Sequence, residues 1–194
     1  MPTPTAPITR IRVVAAGAAV VLCAVPIAAC SSGDDAPAGV SVELRSTPDH
    51  GATGAVPRLT LAVHNDSDAP CAVPKHGIGS AIVTSVTHDG TDVASSSRPI
   101  PTFAPSIDAV RAALTALSPG ESLALDVQTA TDPPAVESHV IDADGTLIRT
   151  SWPMTERGVY RITAALATPP TAARDDLPPL CAPTDPSTAT FIVQ

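Results

Sequence analysis

Leu59-Thr60-Leu61-Ala62-Val63-His64-Asn65-Asp66-Ser67 is the stretch that decides the fold class. Leu59, Leu61 and Val63 alternate with Thr60, Ala62 and His64. A β-strand turns such a period of two into one aliphatic face and one wetter face. Asn65-Asp66-Ser67-Asp68 then supplies short polar side chains that bond to their own backbone and turn the chain. The same rhythm extends outward in both directions. Val40, Val42 and Leu44 alternate with Ser41, Glu43 and Arg45. Ala81 to His88 is an extended run, followed by Asp89-Gly90 and a return through Asp92-Val93-Ala94, a strong hairpin signal. Leu123, Leu125 and Val127 alternate with Ala124, Asp126 and Gln128. Asp144-Gly145 divides His139-Val140-Ile141 from Leu147-Ile148-Arg149. Tyr160, Ile162, Ala164 and Leu166 share one face, and Thr190 to Val193 form a last strand.

One segment departs from that rhythm. Ile107, Val110, Leu114 and Leu117 fall at spacings of three, four and three, with Ser106 placed as an N-cap and Pro119-Gly120 as a stop. The spacing predicts a short helix over 107–117, its apolar face turned to the core. Short strands between turn signals, with no repeat at a solenoid or propeller period, predict an all-β, antiparallel sandwich of the immunoglobulin-like (Ig-like) kind over residues 40–194.

The chain opens differently. Arg10 and Arg12 precede an apolar run from Val13 to Ala29, and Ile27-Ala28-Ala29-Cys30 closes it. A positive start, a short apolar middle and small residues at the cut are the parts of a secretory signal. With cysteine at the cut, the segment resembles a bacterial lipoprotein signal peptide. That implies cleavage after residue 29, a diacylated Cys30, and a protein held on the outer face of the cell membrane. Residues 30–39, rich in Ser, Gly, Asp and Pro, read as a flexible tether. Cys23 leaves with the leader and Cys30 takes the lipid, so Cys71 and Cys181 remain. Two thiols in an oxidising compartment most simply form one disulfide; the alternative is a pair of buried free thiols. The bond would close most of the domain into one loop.

Composition argues against several roles. The net charge is −8 with a single lysine, Lys75, and removing Arg10 and Arg12 leaves a still more acidic remainder. Such a surface repels phosphate backbones, so no nucleic-acid partner is expected, and the lipid is the expected membrane contact. The aromatics are Phe103, Trp152, Tyr160 and Phe191, too few both to fill a core and to build a stacking platform for sugars.

Three motifs carry a further resemblance: Leu59 to Ser67, ending in Asn-x-Ser; Leu117-Ser118-Pro119-Gly120-Glu121-Ser122; and Gly158-Val159-Tyr160-Arg161-Ile162-Thr163-Ala164. Together they resemble the intracellular proteinase inhibitor (BsuPI-like) family. The resemblance implies an Ig-like sandwich, with Tyr160 at a corner where its hydroxyl ties down the loop before its own strand. Trp152 lies much farther behind the Pro-Gly-Glu strand than in such domains. No inhibitory loop matches, so protease inhibition is not carried over.

A search for chemistry finds little. There is no Gly-x-Ser-x-Gly elbow, and Lys75 has Ala72, not Ser, three positions earlier. No enzyme and no cofactor are expected. His64, Asp66, His76 and His88 lie near strand ends without metal-ligand spacing, and no metal is expected there. Asp142-x-Asp144-Gly145 has the middle of a calcium loop, but Val140 and Ser151 stand where its ends need ligands, so it reads as a hairpin turn. Asn65-Asp66-Ser67 spells a glycosylation sequon and reads as a turn. Residues 167–186 hold Pro169-Pro170, Arg174-Asp175-Asp176 and Pro178-Pro179. They are either a binding surface or a proline-stiffened crossover pinned by Cys181. The expected role is a non-catalytic envelope lipoprotein that binds another envelope protein. A solute- or metal-binding lipoprotein is the alternative, and an envelope hydrolase follows.

Overall fold

The computed structural model describes residues 39–100, 107–142, 145–183 and 185–194. The leader, Cys30, nearly all of the tether, Ser106 and Asp144 lie outside the described residues. The described residues all belong to one unit, Asp34–Gln194. They form β1 (Val40–Thr47), β2 (His50–Gly51), β3 (Arg58–Asn65), β4 (Cys71–Pro74), β5 (Ala81–His88), β6 (Thr91–Asp92) and β7 (Ser96–Ile100). Then come helix α1 (Ile107–Ala113), β8 (Leu114–Leu117), β9 (Ser122–Val127), β10 (Thr129–Thr131), β11 (Pro134–Ile141), β12 (Leu147–Pro153), β13 (Gly158–Leu166) and β14 (Ser187–Val193). The protein is all-β in class, as the alternation predicts. The sheets run β1-β3-β9, β2-β14-β13-β5-β6, β10-β11-β12-β7 and β4-β8, and every pairing is antiparallel except β2 with β14.

The alternating residues become one core. Leu59, Leu61 and Val63 of β3 meet Tyr160, Ile162 and Ala164 of β13, with Phe191, Leu125, Val136 and Trp152 in the same cluster. Each fully buried aliphatic side chain there contributes about 1.5–3 kcal/mol.

Asn65 fastens the corner where β3 ends. It is fully buried, and its Nδ2 donates to the carbonyls of Ala69 and Leu117, both at 2.9 Å. Its Oδ1 accepts from the Ser67 amide at 3.2 Å and the Ser67 hydroxyl at 2.6 Å. Its backbone N–H donates to Glu121 O, and Gly120 N–H donates to Asn65 O. The Asn-x-Ser and Leu-x-Pro-Gly-Glu-Ser motifs are therefore two halves of one hydrogen-bonded corner. Within the second half, Glu121 N–H returns to Ser118 O, and Gly120 has φ +76°. Proline followed by a left-handed glycine is the pattern of a type II turn. Glu121 also accepts the Ser118 amide at 2.8 Å, which lowers its pKa. A buried Asn65 serves this corner; its amide is not open to glycosylation in the folded domain.

The expected tyrosine corner is present. Glu156 N–H donates to the Tyr160 hydroxyl, which donates to Glu156 O, each at 3.1 Å. Opposite it, the Asp89-Gly90 turn is tied to β13 through Asp89 Oδ1, which accepts Val159 N–H at 2.9 Å. Gly158 has φ +143°, and a Cβ there would overlap His88 Nε2 and the Asp89 carboxylate.

Several expectations need correction. The helix stops at Ala113, and Leu114–Leu117 is a strand paired with Cys71–Pro74. Ile107 and Val110 pack in a small cluster with Ile141, Leu147 and Ala172, whereas Leu117 reaches the main core. The helical spacing thus spans two elements facing two cores. The return after Asp89-Gly90 is only two residues long, continued by one Val93 N–H to Val86 O bond. The last strand starts at Ser187, which pairs with Ala164. β5 carries a bulge: Thr163 pairs with Ser85 and Ala164 with Val83, leaving Thr84 unpaired. The Ser138 hydroxyl of β11 accepts the Val83 N–H at 3.1 Å and fastens two sheets there.

Cys71 and Cys181 are joined, with their Cα atoms 5.0 Å apart. Ala72 N–H donates to Pro179 O and Cys181 N–H to Ala72 O, so the bond sits in a short backbone ladder. Cys71→Ala with Cys181→Ala should lower the melting temperature, with up to about 4–5 kcal/mol of stabilisation lost for so long a loop. An unchanged melt would contradict that contribution. Asn65→Ala should cost about 2–4 kcal/mol by denaturant unfolding, because the buried Leu117 carbonyl and the part-buried Ala69 carbonyl lose their donor. Asn65→Asp, which keeps the acceptor and loses the donors, should recover little of it.

Candidate functional site

The outward face of the four-stranded sheet concentrates polar chemistry. In register across it, His139 of β11 lies opposite Arg149 of β12, and Arg149 lies opposite Arg98 of β7. The next row is Glu137, Ser151 and Ser96; the row on the other side is Ile141, Leu147 and Ile100. Directly opposed residues of an antiparallel pair share a face. The apolar row is covered by Val110, Ile107 and Ala172. Val136 and Trp152, one step along their strands, turn to the core instead.

The two polar rows border a cleft of about 370 Å³ lined by Ser96, Arg98, Asp132, Glu137, Arg149 and Ser151, with Ala130 and Pro133 at one end. Glu137 is the shared anion: its Oε1 is 3.5 Å from Arg149 Nη1 and its Oε2 is 3.9 Å from His139 Nε2. The Glu137 and His139 side chains keep only 12% and 11% of their exposure. Burial raises the Glu137 pKa against the opposing field of Arg98. Burial lowers the His139 pKa, and its Nδ1 is buried with no hydrogen-bond partner among the described residues. The exposed Arg98 forms no ion pair within 4 Å among the described residues, and neither does Asp132 across the cleft.

The residues singled out from sequence are dispersed. His64 Nδ1 bonds the Ser122 hydroxyl at 2.7 Å, and its Nε2 is 3.9 Å from Glu43. These are the residue types of a nucleophilic relay, laid across the outward face of the β1-β3-β9 sheet. The His–Glu separation exceeds a hydrogen bond. Asp66 accepts the Ser41 hydroxyl, and His88 stacks on Tyr160 with its Nε2 at 2.9 Å from Arg157 O. No three His, Cys, Asp or Glu side chains gather as metal ligands among the described residues. Asp142 Oδ1 accepts Thr146 N–H at 2.9 Å, the bond of a hairpin turn. Cys30 lies outside the described residues.

The 167–186 segment is strapped down where it is described. Arg111 donates to Thr171 O through Nε and Nη2, and Arg174 donates to Arg111 O. Ala172 is fully buried, and the disulfide holds the far end. A groove of about 650 Å³ still follows the segment, from Leu166 through Arg174 to Pro183.

No protein-family model, curated protein or solved structure matches this chain. The charged rows were missed because Ser96–Ile100, with its polar residues and Pro99, does not read as a strand. Without β7, nothing in the sequence places Arg98 beside Arg149. The alternation in His139-Val140-Ile141 and Leu147-Ile148-Arg149 was the one available signal.

Opposite pH slopes follow from the two half-buried ionisable groups. Glu137 binds its proton more tightly folded than unfolded, so its contribution to stability falls as pH rises above the ordinary carboxylate value, about 4.3. His139 binds its proton less tightly folded, so its contribution falls as pH drops below the ordinary imidazole value, about 6.5. Between these values, Glu137→Gln should make the slope of melting temperature against pH more positive than in the parent. His139→Asn should make it more negative. Slopes unchanged in both variants would show that neither group is coupled to folding.

Proposed function

We propose that this chain is a lipid-anchored, Ig-like β-sandwich protein on the outer face of the cell membrane, acting as a non-catalytic module that binds another envelope protein. The Cys71–Cys181 bond is the observation that supports this reading, since disulfides form and persist in oxidising compartments, the setting the Cys30 leader motif also implies. The Ig-like, BsuPI-like reading is supported by the Asn65 corner, which joins two of the three resembling motifs, and by the tyrosine corner in the third. Strands of the β1-β3-β9 sheet and the β14-β13-β5 sheet bury their alternating faces in one core, as the two layers of a sandwich do. A solute-binding role is the second reading, and the charged cleft between β7 and β11 favours it.

Cys30→Ala should move the protein from the membrane fraction to the soluble extracytoplasmic fraction, with loss of radiolabelled fatty acid. Retention of the variant in the membrane would contradict the anchor. Cross-linking in intact cells should capture one dominant envelope protein; a parent protein that cross-links to nothing would turn the assignment to solutes.

A further inference from the structure

The cleft on the four-stranded sheet holds two unpaired charges of opposite sign. Arg98 sits on β7, and Asp132 sits at the turn between β10 and β11, on the far side of the sheet. Both line the cleft, and no ion pair within 4 Å joins them to each other or to another described residue. Between them stand Arg149, Glu137 and the hydroxyl-bearing Ser96 and Ser151. Arg98 lies directly opposite Arg149, which itself lies opposite His139. Like charges in directly opposed positions are destabilising. One carboxylate, Glu137, at 3.5 Å and 3.9 Å, leaves most of their hydrogen-bond capacity unused. The cleft therefore sets two arginines, Arg98 and Arg149, against the single carboxylate of Glu137 on one side, and on the other holds Asp132 with no cation within 4 Å among the described residues.

We infer that this cleft binds a small zwitterion carrying a carboxylate and an ammonium group, the chemistry of an amino acid or of a short peptide. The carboxylate would lie against Arg98 and Arg149, whose planar donors match its two oxygens. The ammonium would lie toward Asp132 and Glu137, and the serine hydroxyls would hold the middle. A ligand with only one of the two charges leaves the opposite pole unpaired, so the cleft discriminates by requiring both. The inference rests neither on the lipid anchor nor on the envelope-protein partner proposed above.

The test is isothermal titration of the full chain in detergent with four probes: L-alanine, L-alanyl-L-alanine, succinate and 1,4-diaminobutane. At least one zwitterion should bind saturably, and the dianion and dication at least about tenfold more weakly. Alanine binding would identify a free amino acid as the source, and binding of the dipeptide alone would identify a peptide. Arg98→Gln and Asp132→Asn, both at exposed positions, should each weaken binding by about tenfold, while Arg161→Gln on β13 leaves it unchanged. The inference is overturned if neither zwitterion binds, if succinate or 1,4-diaminobutane binds as tightly, or if Arg98→Gln and Asp132→Asn bind like the parent. Neither result bears on Cys30 or on cross-linking, so this inference and the proposed function fail independently.

Discussion

The Asn65 carboxamide is the interaction on which the rest of the domain depends. Its two donors and its acceptor are all used inside the protein, on Ala69, Leu117 and Ser67. Through them and its own backbone, one side chain sets where β3 ends, how the chain reaches β4, and how β8 turns into β9. Leu117 closes β8, and Cys71 opens β4 directly opposite it. The corner thus also positions the cysteine that holds the 167–183 strap to the core. A buried amide is costly when unpaired and rigidifying when fully paired, and here each donor and the acceptor of the carboxamide has a partner.

That dependence explains what was legible in the sequence. Strands with one wet face announced themselves through period-two alternation: β1, β3, β9 and β13 were readable from Val40, Leu61, Leu125 and Ile162 outward. Tyr160 was readable as a corner because it follows a glycine at the start of such a strand. The cysteines were readable by compartment chemistry. β4 was not, because all four of its residues are buried and no alternation remains. β8 reads as helix in the sequence because Leu114 and Leu117 continue the spacing of α1. β7 is an edge strand of exposed polar residues with Pro99 in it, a composition that protects an edge and hides it from pattern reading.

The candidate site was less legible for the same reason. Its charges come from three strands, and only the register of β7 on β12 puts Arg98 beside Arg149. Sequence distance gives no hint of it. The core leaves this face free, because Ser138 and Val136 engage the inner layer and α1 covers only the apolar row. The scaffold therefore tolerates opposed arginines and a half-buried glutamate there, a charge arrangement that does not serve packing. The 167–183 strap shows the opposite relation, with arginines spent on carbonyls that tie a loop to a helix.

Amide hydrogen exchange under native conditions tests the role of the Asn65 corner most directly. The account predicts that the Asn65 Nδ2 protons and the amides of Asn65 and Gly120 exchange as slowly as the β13 core amides, opening only when the whole domain unfolds. Exchange at these sites through a low-energy local opening, with β13 still protected, would show that the corner hangs on the fold and does not organise it.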